Sequence, residues 1–352
     1  MSWQTIGQDK IIELFKKALV RGTLAHAYLL VGSRGIGKMR LALDLAMTLN
    51  CVQGQGQSPC GVCPACLKIE AGKHTDVQIV ALNQYLDDDE SKEHTEIGIE
   101  RIKDMLHSAS LPPFEGRHRV YIIDEAGNLS LDAANRLLKT LEEPPPKVTF
   151  ILLTENAALI PATIISRCQR LNLGRMQTAE LASALSARWQ IEPDKANLLA
   201  RLSYGCPGWA LTAAKNPDLQ SERQEKFAKM RAVLMSNFSA RFGASAQLAL
   251  QFSKKRESVY ETLAAWSGWW RDVLLVKTGC NRDIINIDNL SGLAEMAGAY
   301  SLEQIRAAIR SISEAEEQLR QNANARLTLE ALMLNLPIWP STSPALNQRV
   351  SG

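Results

Sequence analysis

The stretch HAYLLVGSRGIGKMRLALDLAMTLN, residues 26–50, decides the fold. It opens with a short apolar run that ends in glycine, which is typical of a buried strand, and it closes with apolar residues at helical spacing. Between these two patterns lies GSRGIGKM, residues 32–39, which matches the phosphate-binding pattern G-x-x-x-x-G-K-[ST] except at its last position. A strand, a glycine-rich turn and a helix that starts at a lysine predict a phosphate-binding loop.

The residues of this loop form a candidate degenerate nucleotide site. Backbone N–H groups around Gly32, Gly35 and Gly37 would face a phosphate at the positive end of a helix, with Lys38 over the β- and γ-phosphates. Met39 stands where a hydroxyl would bind Mg²⁺, and a thioether is a poor ligand for that hard cation. A glycine-rich turn that binds no ligand is the alternative.

The first half of the chain alternates between strand and helix patterns. Strands are predicted at residues 26–32, 76–82, 118–126 and 147–156, with helix-length segments between them. This alternation favours an α/β domain with a parallel sheet covered by helices on both faces. Strand patterns stop after Leu173, and the remaining segments are predicted to be helical, with residues 215–222 as a linker.

Polar side chains follow two of the predicted strands. VYIIDEA places Asp124 and Glu125 at the carboxyl end of a core strand, the edge at which open α/β sheets bind ligands. An aspartate there can hold Mg²⁺ and a glutamate can polarise water. Asn156 ends the next strand and is placed either to reach a γ-phosphate or to form a turn. The acids are equally compatible with a solvated strand end, but the upstream loop favours the nucleotide site.

Four cysteines interrupt the α/β pattern. They have the spacing C-x8-C-x2-C-x2-C, at Cys51, Cys60, Cys63 and Cys66. Four thiolates this close can enclose a metal, and structural Zn²⁺ is the natural occupant of a closed tetrahedral thiolate site. An iron–sulfur cluster is the alternative. We expect one zinc ion per chain in a structural role, because no coordination position is left for a substrate.

Composition and charge limit the classes of protein to which the chain belongs. It has 352 residues, 46% hydrophobic and 22% charged, which indicates two or three folded domains. No signal-peptide pattern and no apolar stretch of membrane-spanning length occur, so a cytoplasmic location without a membrane partner is expected. The net charge of +3 gives no general attraction to nucleic acid. The acidic segment 84–98 is expected to be a mobile surface loop.

Several of these stretches together resemble the bacterial clamp-loader AAA+ family. The resemblance lies in LAHAYLLVGSRGIGK, CGVCPAC, VYIIDEA, FILLTEN and, most specifically, LLKTLEEPP (residues 137–145) followed by SRC (residues 166–168). It covers nearly the whole chain. It implies an AAA+ module over residues 1–173 with a zinc-binding insertion at 51–66, a helical lid at 174–218, a helical collar at 219–340 and a flexible tail at 341–352.

The resemblance also implies partners and a role for one arginine. Clamp loaders of this family are hetero-pentamers that include tau/gamma and delta subunits, and they use ATP to load a sliding clamp on primer-template DNA at the replisome, near the nucleoid. The arginine of the SRC motif, here Arg167, projects into a neighbouring subunit's ATP site as an arginine finger. By composition alone, Arg167 would have no assigned role.

Two departures from the motor subunits of the family indicate a subunit without ATPase activity of its own. Met39 replaces the threonine or serine of the loop, and Trp209 stands where the lid carries an arginine that senses the γ-phosphate. Lys38, Asp124 and Glu125 are kept, which leaves weak ATP and Mg²⁺ binding open. The alternatives are a motor ATPase of the tau/gamma type and a DNA-repair AAA+ protein.

Overall fold

The computed structural model describes residues 3–54, 57–82, 96–216 and 218–340. The chain divides into two compact units, Met1–Thr212 and Ala213–Gly352. The strands all lie in the first unit and are β1 (Ala27–Val31), β2 (Val77–Val80), β3 (Arg119–Ile123), β4 (Val148–Thr154) and β5 (Gln169–Asn172). The helices that begin there are α1 (Asp9–Arg21), α2 (Lys38–Asn50), α3 (Pro64–Glu70), α4 (Ile99–Ala109), α5 (Leu131–Glu142), α6 (Ala162–Ile165), α7 (Thr178–Trp189), α8 (Pro193–Leu202) and α9 (Pro207–Lys215).

The five strands form one parallel sheet in the order β2-β3-β4-β1-β5. This arrangement confirms the predicted α/β fold, and β1 lies inside the sheet between β4 and β5. The edge strand β5 was not predicted, because in its sequence QRLN only Leu171 is buried. Parallel strands place their carboxyl ends at one edge, so the loop after β1 and the polar residues after β3 and β4 lie on the same side of the sheet.

Helices cover both faces of the sheet, as the sequence predicts. Along β1, Tyr28 and Leu30 belong to a core that also contains Phe15 of α1 and Leu41 of α2. The intervening residue Leu29 belongs to a second core, which includes buried residues of α4 and α5. Since alternate side chains of a strand point to opposite faces, the two cores lie on opposite sides of the sheet.

Two predicted loops are corrected by the structure. The linker expected at residues 215–222 is wrong, because α9 ends at Lys215 and α10 (Asp218–Met235) begins three residues later. An aspartate in its first turn and a sequence rich in strong helix formers explain this start. Most of the acidic segment lies outside the described residues, but its end is ordered, because Ile97 is fully buried and bridges to Leu129. The predicted tail at 341–352 also lies outside them.

The described part of the second unit is helical. It comprises α10, α11 (Phe238–Lys254), α12 (Arg256–Lys277), α13 (Leu290–Ala299), α14 (Leu302–Arg320) and α15 (Ala325–Asn335). Its core is rich in aromatic side chains, with Trp266 and Trp270 of α12 almost completely buried. Across the described ranges of the whole chain, no helix is both long enough and apolar enough to span a bilayer.

A buried arginine joins the ends of two helices in this unit. Arg241 of α11 is 1% exposed, and its guanidinium donates all five N–H groups to backbone carbonyl oxygens. The acceptors are at the C-terminal ends of α10 and α15, and they are Val233, Leu234, Met333, Leu336 and Pro337, at 2.7–3.2 Å. Burial lowers the pKa of this guanidinium. The negative ends of two helices therefore take the place of a carboxylate partner.

Replacing Arg241 with methionine should strongly destabilise the second unit. The change removes one donor from each of five carbonyl groups, of which those of Val233 and Leu234 keep other donors, from Ser236 and Trp339. We expect a loss of about 3 kcal/mol or more in the free energy of unfolding, because the buried carbonyls of Met333 and Leu336 lose a charged donor. Denaturant unfolding of the full chain, followed by the fluorescence of the buried tryptophans, measures this loss. Arg310→Met is the matched control, because Arg310 is an exposed arginine of α14. Equal stabilities of the two variants would contradict the prediction.

Candidate functional site

The glycine-rich loop has the position predicted from the sequence. β1 ends at Val31, the loop occupies residues 32–37, and α2 begins at Lys38. Ile36 is fully buried and anchors the loop to the core beneath it. Gly37 has a left-handed backbone and precedes the first residue of the helix. This is the strand–turn–helix context in which a phosphate loop forms.

The side chain of Lys38 is bound within its own loop. Its ammonium donates to the carbonyl oxygens of Gly32 at 2.6 Å and Ser33 at 3.1 Å. Burial lowers the pKa of Lys38, while the charges of Glu155 and Asp124 act in the opposite direction. Lys38 is thus the first residue of α2, and two of its three N–H donors bind carbonyl oxygens of its own loop.

Met39 contributes to packing. It is half-buried and contacts the core that contains Tyr28 and Leu30. Its side chain has no hydroxyl to bind a cation, and its thioether suits the apolar surroundings in which it lies. In this structure Met39 extends the hydrophobic core up to the first turn of α2.

The first turn of α9 lies directly on the loop. The N–H of Gly208 donates to the carbonyl oxygen of Gly35 at 2.7 Å. A Cβ atom on Gly35 would be 3.0 Å from the backbone nitrogen of Trp209, and a Cβ on Gly208 would be 2.8 Å from the oxygen of Gly35. Two glycines thus allow the two backbones to touch. Trp209, half-buried, packs against the same core as Met39.

The polar residues after β3 and β4 make local contacts. The Asp124 carboxylate accepts a hydrogen bond from the Glu125 N–H at 2.9 Å. Glu125 is exposed and has a positive φ of 50°, an uncommon conformation for a residue other than glycine. The Asn156 side chain accepts from the Ala158 N–H at 2.9 Å and caps a short turn. Asn156 therefore has the turn-forming contact that the sequence allows.

Arg167 lies between α6 and β5, two residues after the helix ends. Its side chain is 33% exposed. The guanidinium donates to the Thr163 carbonyl at 2.9 Å, to Ser166 Oγ at 3.2 Å and to Glu142 Oε1 at 2.5 Å. The carbonyl of Ala162 accepts the Ser166 N–H, which fixes the turn that carries the arginine. The structure thus holds Arg167 at the surface of the first unit.

The four cysteines converge to one point. Their sulfur atoms all lie within 4.8 Å of one another, with Cys51–Cys63 at 3.9 Å and Cys60–Cys66 at 4.0 Å. A tetrahedral ion with Zn–S bonds of about 2.3 Å would place its sulfurs about 3.8 Å apart. The donor set and its spacing therefore fit one metal ion of the kind that thiolates prefer.

Backbone N–H groups support this cluster. Gly54 donates to Cys51 Sγ at 3.0 Å, and the N–H of Cys63 donates to Cys60 Sγ at 3.2 Å. Burial raises the pKa of the Cys63 thiol, but hydrogen bonds from the Cys66 and Val52 backbone and from neighbouring thiols outweigh burial and lower this pKa to about 6. α3, which the sequence did not predict, begins at Pro64 and carries Cys66.

Comparison with known proteins shows to which family this chain belongs. Residues 7–177 match the family model described as DNA polymerase III, delta subunit, and residues 225–337 match the model for the C-terminal part of that subunit. The chain belongs to the DNA polymerase III clamp-loader family. Within this family it is 28% identical to the DNA polymerase III subunit delta' of Bacillus subtilis strain 168, over 96% of this chain and 98% of that relative.

Similarity to the tau subunits of the clamp-loader family covers a little more than half of the chain. The tau subunit of Escherichia coli K12 is 36% identical over 206 residues, which are 57% of this chain and 30% of that relative. The tau/gamma subunit of Haemophilus influenzae is 37% identical over 182 residues, which are 51% of this chain and 25% of that relative. The chain is thus a delta' homologue that is also similar to tau over about half of its length, and it spans less than a third of these tau relatives.

Sequence reasoning missed two residues of these sites. Glu155 directly follows β4 and contributes negative charge at Lys38, and its place at a strand end was the available signal. Glu142 contacts Arg167, and no signal at a separation of 25 residues could have paired them.

Proposed function

We propose that this clamp-loader subunit works as a delta' subunit, which assembles with tau/gamma and delta subunits and does not hydrolyse ATP itself. The assembly would open the sliding clamp and load it on primer-template DNA during cytoplasmic replication. Similarity to delta' along almost the whole chain supports the subunit type. We propose the three domains expected from the sequence. The AAA+ module meets the lid near residue 173, and the lid meets the collar near residue 218.

The state of the glycine-rich loop is the observation that carries this proposal. Lys38 donates to loop carbonyls, Met39 packs in the core, and α9 touches Gly35 through its backbone. A working site of this kind has a hydroxyl ligand for Mg²⁺ at position 39, where Met39 offers only a thioether. The resemblance to the family also implies that Trp209 stands where motor subunits carry the lid arginine.

Arg167 is the residue that we propose to be catalytic, in trans. It is the central residue of the SRC motif and lies at the surface, where its side chain contacts Thr163, Ser166 and Glu142. An arginine supplied to a neighbour's site stabilises the charge that develops on the transferred phosphoryl group.

For the cysteine cluster we propose one structural Zn²⁺, held by Cys51, Cys60, Cys63 and Cys66. The ion would supply the order that the polar residues 51–60 cannot obtain from packing, and it would take no part in phosphoryl transfer. The thiolate donor set and the sulfur distances support it.

A motor ATPase is the second candidate, favoured by one set of observations. Lys38, Asp124 and Glu125 are all present at the same sheet edge, and the chain is similar to tau over 206 residues. A motor subunit would bind ATP tightly with Mg²⁺ as an isolated chain.

Lys38→Ala distinguishes the two candidates. If the loop does not work in catalysis, the steady-state ATPase rate of the reconstituted loader should stay within about twofold of the wild-type rate. The same substitution at the loop lysine of a tau/gamma subunit in the same loader is the control, and it should abolish turnover at its own site. A loss of similar size from Lys38→Ala would identify this chain as a motor.

A further inference from the structure

The contacts of Arg167 use some of the N–H groups of its guanidinium and leave others without a partner in the described part of the chain. Three of its five N–H groups are used, two on Nη1 and one on Nη2, by Thr163, Ser166 and Glu142. Within the described ranges, the Nε–H group and the second N–H of Nη2 have no partner. Guanidinium N–H groups are strong donors to phosphate oxygens. The contacts within the described part of the chain thus leave two of the five donors, one on Nε and one on Nη2, for a ligand.

Glu142 is the one charged group among these partners. It is the last residue of α5, and its carboxylate is 51% exposed. A negative charge is unfavourable at this end of a helix, where the carbonyl groups carry partial negative charge. The stability of α5 therefore gives no reason for an acid at this position. The contact with Arg167 does, because it joins the end of α5 to the turn after α6.

We propose that Glu142 is a positioning residue for Arg167, which orients the guanidinium so that its Nε and Nη2 edge faces a neighbouring subunit's nucleotide. The inference rests on the proposed role of Arg167 in trans. A long side chain at the surface otherwise samples several rotamers, and small misplacements of a catalytic group reduce the rate. Thr163 and Ser166 hold only Nη1, so Glu142 fixes the rotation of the guanidinium plane.

The test is the ATPase of the reconstituted loader with Glu142→Ala. We expect kcat at the site that receives Arg167 to fall about tenfold with little change in KM for ATP, because the contact is needed in the transition state rather than for binding. Glu142→Gln should keep most of the rate, since its amide oxygen can still accept from Nη2. Glu143→Ala is the matched control, an exposed acid one residue further with no ion pair in the described part of the chain.

The double variant Glu142→Ala/Arg167→Ala separates this proposal from the one on which it rests. If Glu142 acts through Arg167, the double variant should be no slower than Arg167→Ala alone. A slow Arg167→Ala together with a normal or faster Glu142→Ala would overturn the positioning role and leave the proposed function intact. A normal Arg167→Ala would overturn the proposed function itself. An effect of Glu143→Ala equal to that of Glu142→Ala would show a general charge effect and also overturn the positioning role.

Discussion

Arg167→Ala should slow ATP hydrolysis at the neighbouring site by about 10³–10⁵-fold, the usual contribution of an arginine finger. This corresponds to about 4–7 kcal/mol in the activation free energy. Single-turnover hydrolysis measures it best, in a loader whose other ATP sites are disabled by substitution of their loop lysines. Only the site that receives Arg167 then reports. Size-exclusion chromatography shows whether the loader still assembles, which we expect because the contacts of Arg167 with the described part of its own chain lie at the surface.

The matched control for this variant is Arg170→Ala. Arg170 lies three residues further along on β5, is exposed, and donates to the side chain of Asn172. This substitution removes the same charge from the same region but leaves Arg167 in place, so a rate close to the wild-type rate is expected. A comparable loss from both substitutions would show that the surface needs positive charge in general, and no loss from Arg167→Ala would refute the finger.

Removing the metal from the cysteine cluster should unfold the segment that the cluster organises. Structural Zn²⁺ contributes about 10–16 kcal/mol of apparent binding free energy in small modules, so the loss should be complete for Cys51–Glu70. Without the metal, the contacts that hold this segment to the rest of the first unit include the Arg40–Glu70 ion pair at 2.7 Å and the hydrogen bond from Trp3 Nε1 to the Gln57 carbonyl at 3.0 Å. Cys63→Ser should lower the zinc content from about one ion per chain to none and open the segment to proteolysis.

Cys280→Ser is the control for this change. Cys280 is an exposed cysteine of the second unit, so its loss should affect neither the zinc content nor the protease pattern. Elemental analysis of the purified wild-type chain is the decisive measurement. Iron with inorganic sulfide would support the cluster alternative, and the absence of any metal after gentle purification would refute a metal site.

Most elements of the first unit could be predicted from the sequence because their signals are local. The strands β1, β3 and β4 are continuous apolar runs, and α2 lies at residues 38–50, as predicted. β5 was missed since an edge strand with one buried residue has no apolar run. α3 was missed because its residues are placed by cysteines whose partners are up to 15 positions away.

The details of the candidate sites depend on contacts that no local pattern encodes. The cysteine cluster was predictable, since its four residues lie close together in the sequence and their chemistry is specific. The contact of Gly208 with Gly35 joins residues 173 positions apart, and it depends on how α9 packs. The direction of the Lys38 side chain likewise depends on a contact that no local pattern encodes, the hydrogen bond to the Gly32 carbonyl within the glycine-rich loop. Sequence therefore predicts which residues form these sites, while packing decides what each one binds.

The arginine that joins α10 and α15 also sets an order of events during synthesis. Val233 and Leu234 are made before Arg241, but Leu336 and Pro337 follow it by 95 and 96 residues. At about 5–20 residues per second, the ribosome needs roughly 5–20 s to supply them. Until then the guanidinium has only part of its acceptors. The second unit therefore cannot complete its core while the chain is still growing through this region, whereas every strand of the sheet in the first unit has by then been made.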